Sequence, residues 1–118
     1  MAKTFVNFTN HPSTQWDNNQ KKAAEKYGRI FDVSFPEVDP WEGEEYIEEL
    51  AERCLAEILE LGPGAVLCQG EFCLVYRLVS RLKEKGISVL AACSRRMVEE
   101  KNGKKEVCFQ FCRFREYI

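Results

Sequence analysis

Two short runs, Ala65–Gln69 (AVLCQ) and Ile87–Cys93 (ISVLAAC), are almost wholly apolar. A strand can be apolar on both sides only where both sides are covered, as in a parallel sheet flanked by helices. That requirement sets the architecture. Between the runs, Gly70 is followed by a helix through Lys85 that turns Phe72, Val75, Val79 and Leu82 inward, with Gly86 ending it. Before them, Ile47, Leu50, Ala51, Cys54, Leu55 and Ile58 recur at helical spacing and make one stripe, which Gly62-Pro63-Gly64 stops. Glutamates fill the opposite side of that helix and suit the positive end of its dipole.

The rest of the chain continues the alternation. Thr4–Thr9 (TFVNFT) reads as a strand by its period of two, broken at Asn10-His11-Pro12-Ser13. A helix over about Gln15–Tyr27 follows, with Trp16, Ala23, Ala24 and Tyr27 inward and Gly28 suited to its C-terminal cap. Ile30–Phe35 is a second strand, ended by Pro36. After the apolar strand at Ile87–Cys93, Ser94-Arg95-Arg96 reads as its exit. The stretch Met97–Glu100, Lys101-Asn102-Gly103-Lys104 and Lys105–Phe114 then reads as a hairpin turned by Asn-Gly. The expected order is β-α-β-α-β-α-β-β-β. It describes a single α/β, Rossmann-like three-layer domain over residues 1–118, with a mainly parallel central sheet and a C-terminal β-hairpin.

Length and composition fit that expectation. A chain of 118 residues with 45% hydrophobic and 31% charged residues is one globular domain. It has no apolar run long enough for a membrane helix, and its start lacks a secretory signal, so the expectation is a cytoplasmic protein. The six cysteines form no CxxC pair, and most sit in apolar runs, so they read as reduced and buried. With a single histidine, no metal site is expected. No G-x-G-x-x-G or Walker P-loop occurs, which argues against a dinucleotide or ATP cofactor. Charge is uneven. Residues 1–76 hold 6 Lys and Arg against 14 Asp and Glu, whereas residues 77–118 hold 11 against 5. Two explanations stand: a solvated acidic helix beside a basic tail, or an anion site served by the C-terminal arginines.

In such a sheet ligands bind beyond the carboxyl ends of the strands. Four segments should meet there: Asn10–Ser13, Pro36–Asp39, Gln69–Glu71 and Ser94–Arg96. Gln69-Gly70-Glu71 offers a sharp turn into a helix whose first N–H groups suit an anion, and Gln69 can read a base edge or a ribose. Glu71 fits better as a first-turn partner of the helix dipole. Ser94, Arg95 and Arg96 bring a hydroxyl and two guanidiniums that match phosphate oxygens; adjacent arginines point apart, so one of them faces the site. His11, as an imidazole, suits proton transfer, or is simply an exposed loop residue. Ser13 is a helix cap or a phosphate contact. Trp16 and Trp41 read as core or anchoring aromatics. Arg113 and Arg115 share one face of the last strand, where they serve a ligand, an interface or edge protection.

These residues resemble a known family. Gln69-Gly70-Glu71-Phe72, Ser94-Arg95-Arg96, Val98-Glu99-Glu100, Gly103 and the ending Arg113-Phe114-Arg115-x-Tyr117 are similar to the CRISPR-associated Csx family numbered twenty, of the Rossmann-like ring nucleases of type III systems. The resemblance covers residues 65–118 most firmly. It implies binding of a cyclic oligoadenylate, with the tetra-adenylate favoured, and its metal-free linearisation by attack of a ribose 2′-hydroxyl on the neighbouring phosphate. It assigns charge stabilisation to Arg95 or Arg96 and the Gly70–Glu71 amides, with His11 as acid or base. The ligand shell would be Asn10, Ser13, Gln69, Gly70, Glu71, Ser94, Arg113 and Arg115. A ring of even symmetry implies a homodimer. Duplex nucleic acid is not expected, since an acidic chain offers no basic stripe.

Overall fold

Alternating strands and helices along the chain resolve, in a computed structural model that describes residues 2–118, into one five-stranded sheet between helices. The strands are β1 (Thr4–Phe8), β2 (Arg29–Asp32), β3 (Pro63–Cys68), β4 (Ser88–Lys101) and β5 (Lys104–Glu116). The helices are α1 (Asn18–Glu25), α2 (Glu44–Glu60) and α3 (Phe72–Glu84). The sheet order is β2-β1-β3-β4-β5. β1 pairs in parallel with β2 and β3, β3 pairs in parallel with β4, and β5 returns antiparallel to β4. This is the expected Rossmann-like domain.

Pleating divides the side chains between two cores. Val6, Phe8, Val66, Cys68 and Val89 meet α2 and α3 through Leu50, Ile58, Leu74 and Leu78. Phe5, Ala65, Leu67 and Leu90 meet α1 through Trp16 and Ala24, with Phe111 and Phe114 joining from β5. Burial of each such large side chain contributes about 1.5–3 kcal/mol. The acidic face of α2 is partly paired, because Arg81 bonds Glu48 and Glu52, and Arg77 Nε lies 3.2 Å from Glu48.

Four expectations change. The first helix begins later, at Asn18, because the side chain of Asp17 accepts the Gln20 N–H and caps it, leaving only a 3-10 turn at Ser13–Gln15. Gly28 is not the cap of this helix. A Cβ there would lie 2.0 Å from the backbone oxygen of Lys3, so glycine lets the start of β1 pass. Phe72 is 89% exposed and Trp41 94% exposed, the stripe of α3 being Leu74, Val75, Leu78 and Leu82 instead. Cys54 and Cys68 are buried as expected, but Cys73, Cys108 and Cys112 are exposed.

The largest difference is at the end of the chain. The expected strand at Ile87–Cys93 and the first hairpin strand are one strand, β4, paired with β5 along its whole outer length. Ser94, Arg95 and Arg96 pair with Phe111, Gln110 and Phe109, so they lie inside a strand and not in a loop after it. A bulge between Cys93 and Ser94 leaves Cys112 as the extra residue. That extra residue keeps Phe111 and Phe114 on one side although they are three apart. Asn102 and Gly103 take φ of 54° and 76° and make the turn. Beyond β3, the two strands continue as a ribbon alone, which raises the radius of gyration to 15.8 Å. A compact domain of this length would have about 13.5 Å.

Candidate functional site

β1 leaves the sheet toward α1 on one side, and its neighbour β3 leaves toward α3 on the other. The crevice between their carboxyl ends is therefore the switch point of the sheet. A buried polar network builds its β1 side. Asn7 is 1% exposed, and its Nδ2 donates to the His11 carbonyl at 2.9 Å and to Asp32 Oδ1 at 3.0 Å. Thr9 Oγ1 donates to Asn7 Oδ1 at 2.8 Å and accepts from the His11 N–H at 3.1 Å. Trp16 Nε1 donates to the same His11 carbonyl at 3.1 Å. The backbone of His11 is thus held from three directions, while Asn10 and the His11 side chain face solvent. Ser13 donates its hydroxyl to Asp32 Oδ2 at 3.0 Å and its N–H to the same carboxylate. It is neither the expected helix cap nor an uncommitted hydroxyl.

On the β3 side, each residue of Gln69-Gly70-Glu71 has a job within the fold. Gln69 Oε1 accepts the Ala92 N–H at 2.6 Å, bridging β3 and β4 past their last backbone pair. Glu71 caps α3 by accepting the Leu74 N–H at 2.8 Å. Its carboxylate occupies the positive end of the helix, so that end is less open to an outside anion than the turn alone suggests. Gly70 is glycine because the Phe35 ring lies 2.5 Å from where a Cβ would stand. Gly70→Ala is expected to cost about 2 kcal/mol by overpacking, measured by urea denaturation. Adding Phe35→Leu should recover part of that loss, because the two substitutions share one contact.

The third wall is the root of the ribbon, which leaves the sheet from the carboxyl end of β4. Gln69 meets Ala92 only two residues before Ser94, so the two segments do reach the same edge. The β4–β5 register places Ala91 opposite Arg115 and Cys93 opposite Arg113. Alternation then puts Arg95, Arg113 and Arg115 on the α3 side, and Ser94 and Arg96 on the α1 side beside Phe111 and Phe109. None of these four arginines has a carboxylate within salt-bridge distance among the described residues. Arg113 Nε donates to the Phe114 carbonyl at 3.0 Å, leaving its terminal nitrogens free.

The buried thiols are unsuited to chemistry. Burial pushes Cys68 up to about 12, with Cys54 adding to the shift, and burial also raises Cys54. Tyr117, which donates to the Cys68 carbonyl at 2.9 Å, is raised chiefly by burial. The sign of the Cys68 effect is testable. Up to the ordinary value of 9.0 the folded and unfolded thiols are both protonated; above it the unfolded chain loses the proton first, so stability falls as pH rises toward 12. Between pH 8 and about pH 10.5 the loss from this group should be about 2 kcal/mol. Cys68→Ala should remove that part of the alkaline slope in urea midpoints. Among the described residues no group of three or more His, Cys, Asp or Glu is arranged to hold a metal ion.

Sequence reasoning missed Asn7, Thr9, Asp32 and Phe35. The first had a signal: an asparagine in the middle of TFVNFT, at a position that should face a core, must have polar partners. Comparison with known proteins finds a family model, described as the Uncharacterized protein MJ1673 family, matching residues 3–115. The chain belongs to that family. No curated protein matches it.

Proposed function

We propose that the chain binds a cyclic oligoadenylate ring, with tetra-adenylate favoured, at the carboxyl edge of its sheet and linearises it without a metal. The observation that carries this reading is the set of three arginines, Arg95, Arg113 and Arg115, on one face beside the switch-point crevice, with no carboxylate partner among the described residues. Guanidinium forks match phosphate oxygens and hold their charge at any physiological pH. Unpaired arginines spaced at every second residue suit a phosphate backbone better than a single small anion. The similarity of residues 65–118 to the ring-nuclease family points the same way.

In this reading the ribose 2′-oxygen attacks the adjacent phosphorus while the P–O5′ bond breaks. The 2′-hydroxyl proton passes to a base and the leaving 5′-oxygen takes up a proton. The products are a 2′,3′-cyclic phosphate and a 5′-hydroxyl on one opened chain. The protein's part is to align the 2′-oxygen with the leaving group and to balance the extra phosphate charge. Arg95 is assigned that charge, and the exposed imidazole of His11, across β3 from the ribbon, is assigned the proton transfer. A two-fold pair of chains would present one such edge to each half of the ring.

Glu71 favours a second reading, since its cap withdraws the α3 N-terminus from charge stabilisation. In that case the protein sequesters the ring without cutting it. Incubation with cyclic tri-, tetra- and hexa-adenylate in EDTA decides between them. Binding with cleavage supports the enzyme, and binding alone supports the sequestering protein. No binding of any ring rejects both. His11→Ala should slow single-turnover cleavage while leaving the Kd unchanged.

A further inference from the structure

The outer ribbon carries an apolar stripe with nothing over it. On its α1 side the buried Phe111 leads outward to Phe109, Val107 and Val98, which are exposed, Phe109 by 70%. A two-stranded ribbon standing alone in water is only marginally stable, and this one runs about 30 Å past the sheet at strand rise. At the same edge of the molecule, a cleft of about 680 Å3 opens between the N-termini of α2 and α3. Its floor includes Val38, Ile47 and Phe72, and Tyr76 stands 72% exposed at its side. Its rim is acidic, with Asp39, Glu42, Glu44 and Glu71 against the single Arg77, which is already paired with Glu48. Asp39 and Glu71 are held in place, since each accepts a backbone N–H.

We propose that two copies of this chain pair by exchanging ribbons, the apolar stripe of each seating in the acidic cleft of the other. A ribbon cannot reach the cleft of its own chain, because its stripe faces the α1 side and the cleft lies on the α2–α3 side. A two-fold axis along the normal of the sheet, set beyond the carboxyl edge, keeps both copies the same way up, so that the α1 side of each ribbon faces the α2–α3 side of the other copy. Such an interface is reciprocal and closed, so it ends at two copies. Charge agrees with it: Arg96 and Lys105 outnumber Glu100 on the stripe side of the ribbon, and Lys104 and Lys101, the latter 3.9 Å from Glu99, stand at its tip, opposite in sign to the carboxylates of the rim. The exchange gives the ribbon the cover it lacks and removes Phe72, Tyr76 and Phe109 from water together. It rests on these two surfaces and not on the identity of any ligand.

Light scattering of the full chain at micromolar concentration should give the mass of two copies. Phe109→Glu on the ribbon and Tyr76→Glu in the cleft should each raise the dimer Kd at least about thirtyfold, as truncation of a central aromatic anchor does. Both positions are exposed, so thermal melts of the separated chains should remain cooperative. In a Cys108→Ser/Cys112→Ser background, Val107→Cys should crosslink under mild oxidation to Cys73 of the second copy, and mass spectrometry would identify the pair. A monomeric wild type overturns the proposal. So does a dimer that survives either glutamate, or a dimer whose crosslinks join ribbon to ribbon. Ring binding measured on the same variants separates the two readings, since loss of the dimer with binding retained leaves the ligand site standing alone.

Discussion

Arg95→Ala combined with Arg113→Ala is expected to weaken binding of cyclic tetra-adenylate by about a thousandfold, whereas Arg96→Ala and Lys104→Ala should each change it by less than about threefold. A hydrogen bond to a charged group is worth about 1.5–3 kcal/mol, which is roughly ten- to a hundredfold in Kd for each guanidinium removed. The contrast between Arg95 and Arg96 is the sharper test. The two are neighbours in sequence and equal in charge, but alternation along β4 sends them to opposite faces, and the pairing of Cys93 with Arg113 puts Arg95 on the side of the other arginines. A general electrostatic attraction would treat them alike. Titration at fixed salt, followed by calorimetry, measures both effects. Equal affinities for the Arg95 and Arg96 variants would remove the ribbon root from the site.

Asn7→Leu is expected to lower stability by about 3 kcal/mol, since the Thr9 hydroxyl loses the nearer of its two acceptors while the His11 carbonyl and Asp32 each lose a donor. At this chain length that corresponds to a fall in Tm of about 10 °C. Leucine keeps the same branched skeleton of heavy atoms and is the larger side chain, so no cavity forms and the loss combines missing hydrogen bonds with tighter packing. The same substitution frees the loop that carries His11, and exchange protection of the His11 amide should fall with it. Asn10→Ala is the control. Asn10 is exposed and makes no side-chain hydrogen bond among the described contacts, so its Tm should move by less than about 1 °C. A tolerant Asn7→Leu would mean that Thr9, Trp16 and Asp32 hold the loop without it.

The layered architecture was legible because burial on two faces leaves a mark on composition. Val66, Leu67, Val89 and Leu90 had to be apolar whichever neighbour covered them, and the α2 stripe from Ile47 to Ile58 had to recur at helical spacing. Asn102-Gly103 was legible too, since its turn demands positive φ from two consecutive residues. The site was less so. Gln69, Gly70 and Glu71 are the residue types that a nucleotide turn would use. Here they answer to Ala92, Phe35 and Leu74, partners that are brought to them only by folding.

Local rules therefore settled the alternation of strands and helices and the hairpin turn of this protein, because each depends on residues within a turn or two of one another, but not the continuity of β4 through Ser94–Arg96 or the start of α1 at Asn18. Only the assembled sheet decided that Arg95 joins Arg113 and Arg115 while Arg96 turns away. That outcome depends on Cys93 standing opposite Arg113, and the extra residue Cys112 beyond that pair then returns Phe111 and Phe109 to the side of Phe114. A bulge shifts every later side chain by half a pleat period, and no periodicity within Ser94–Arg96 itself records where its partner strand has slipped.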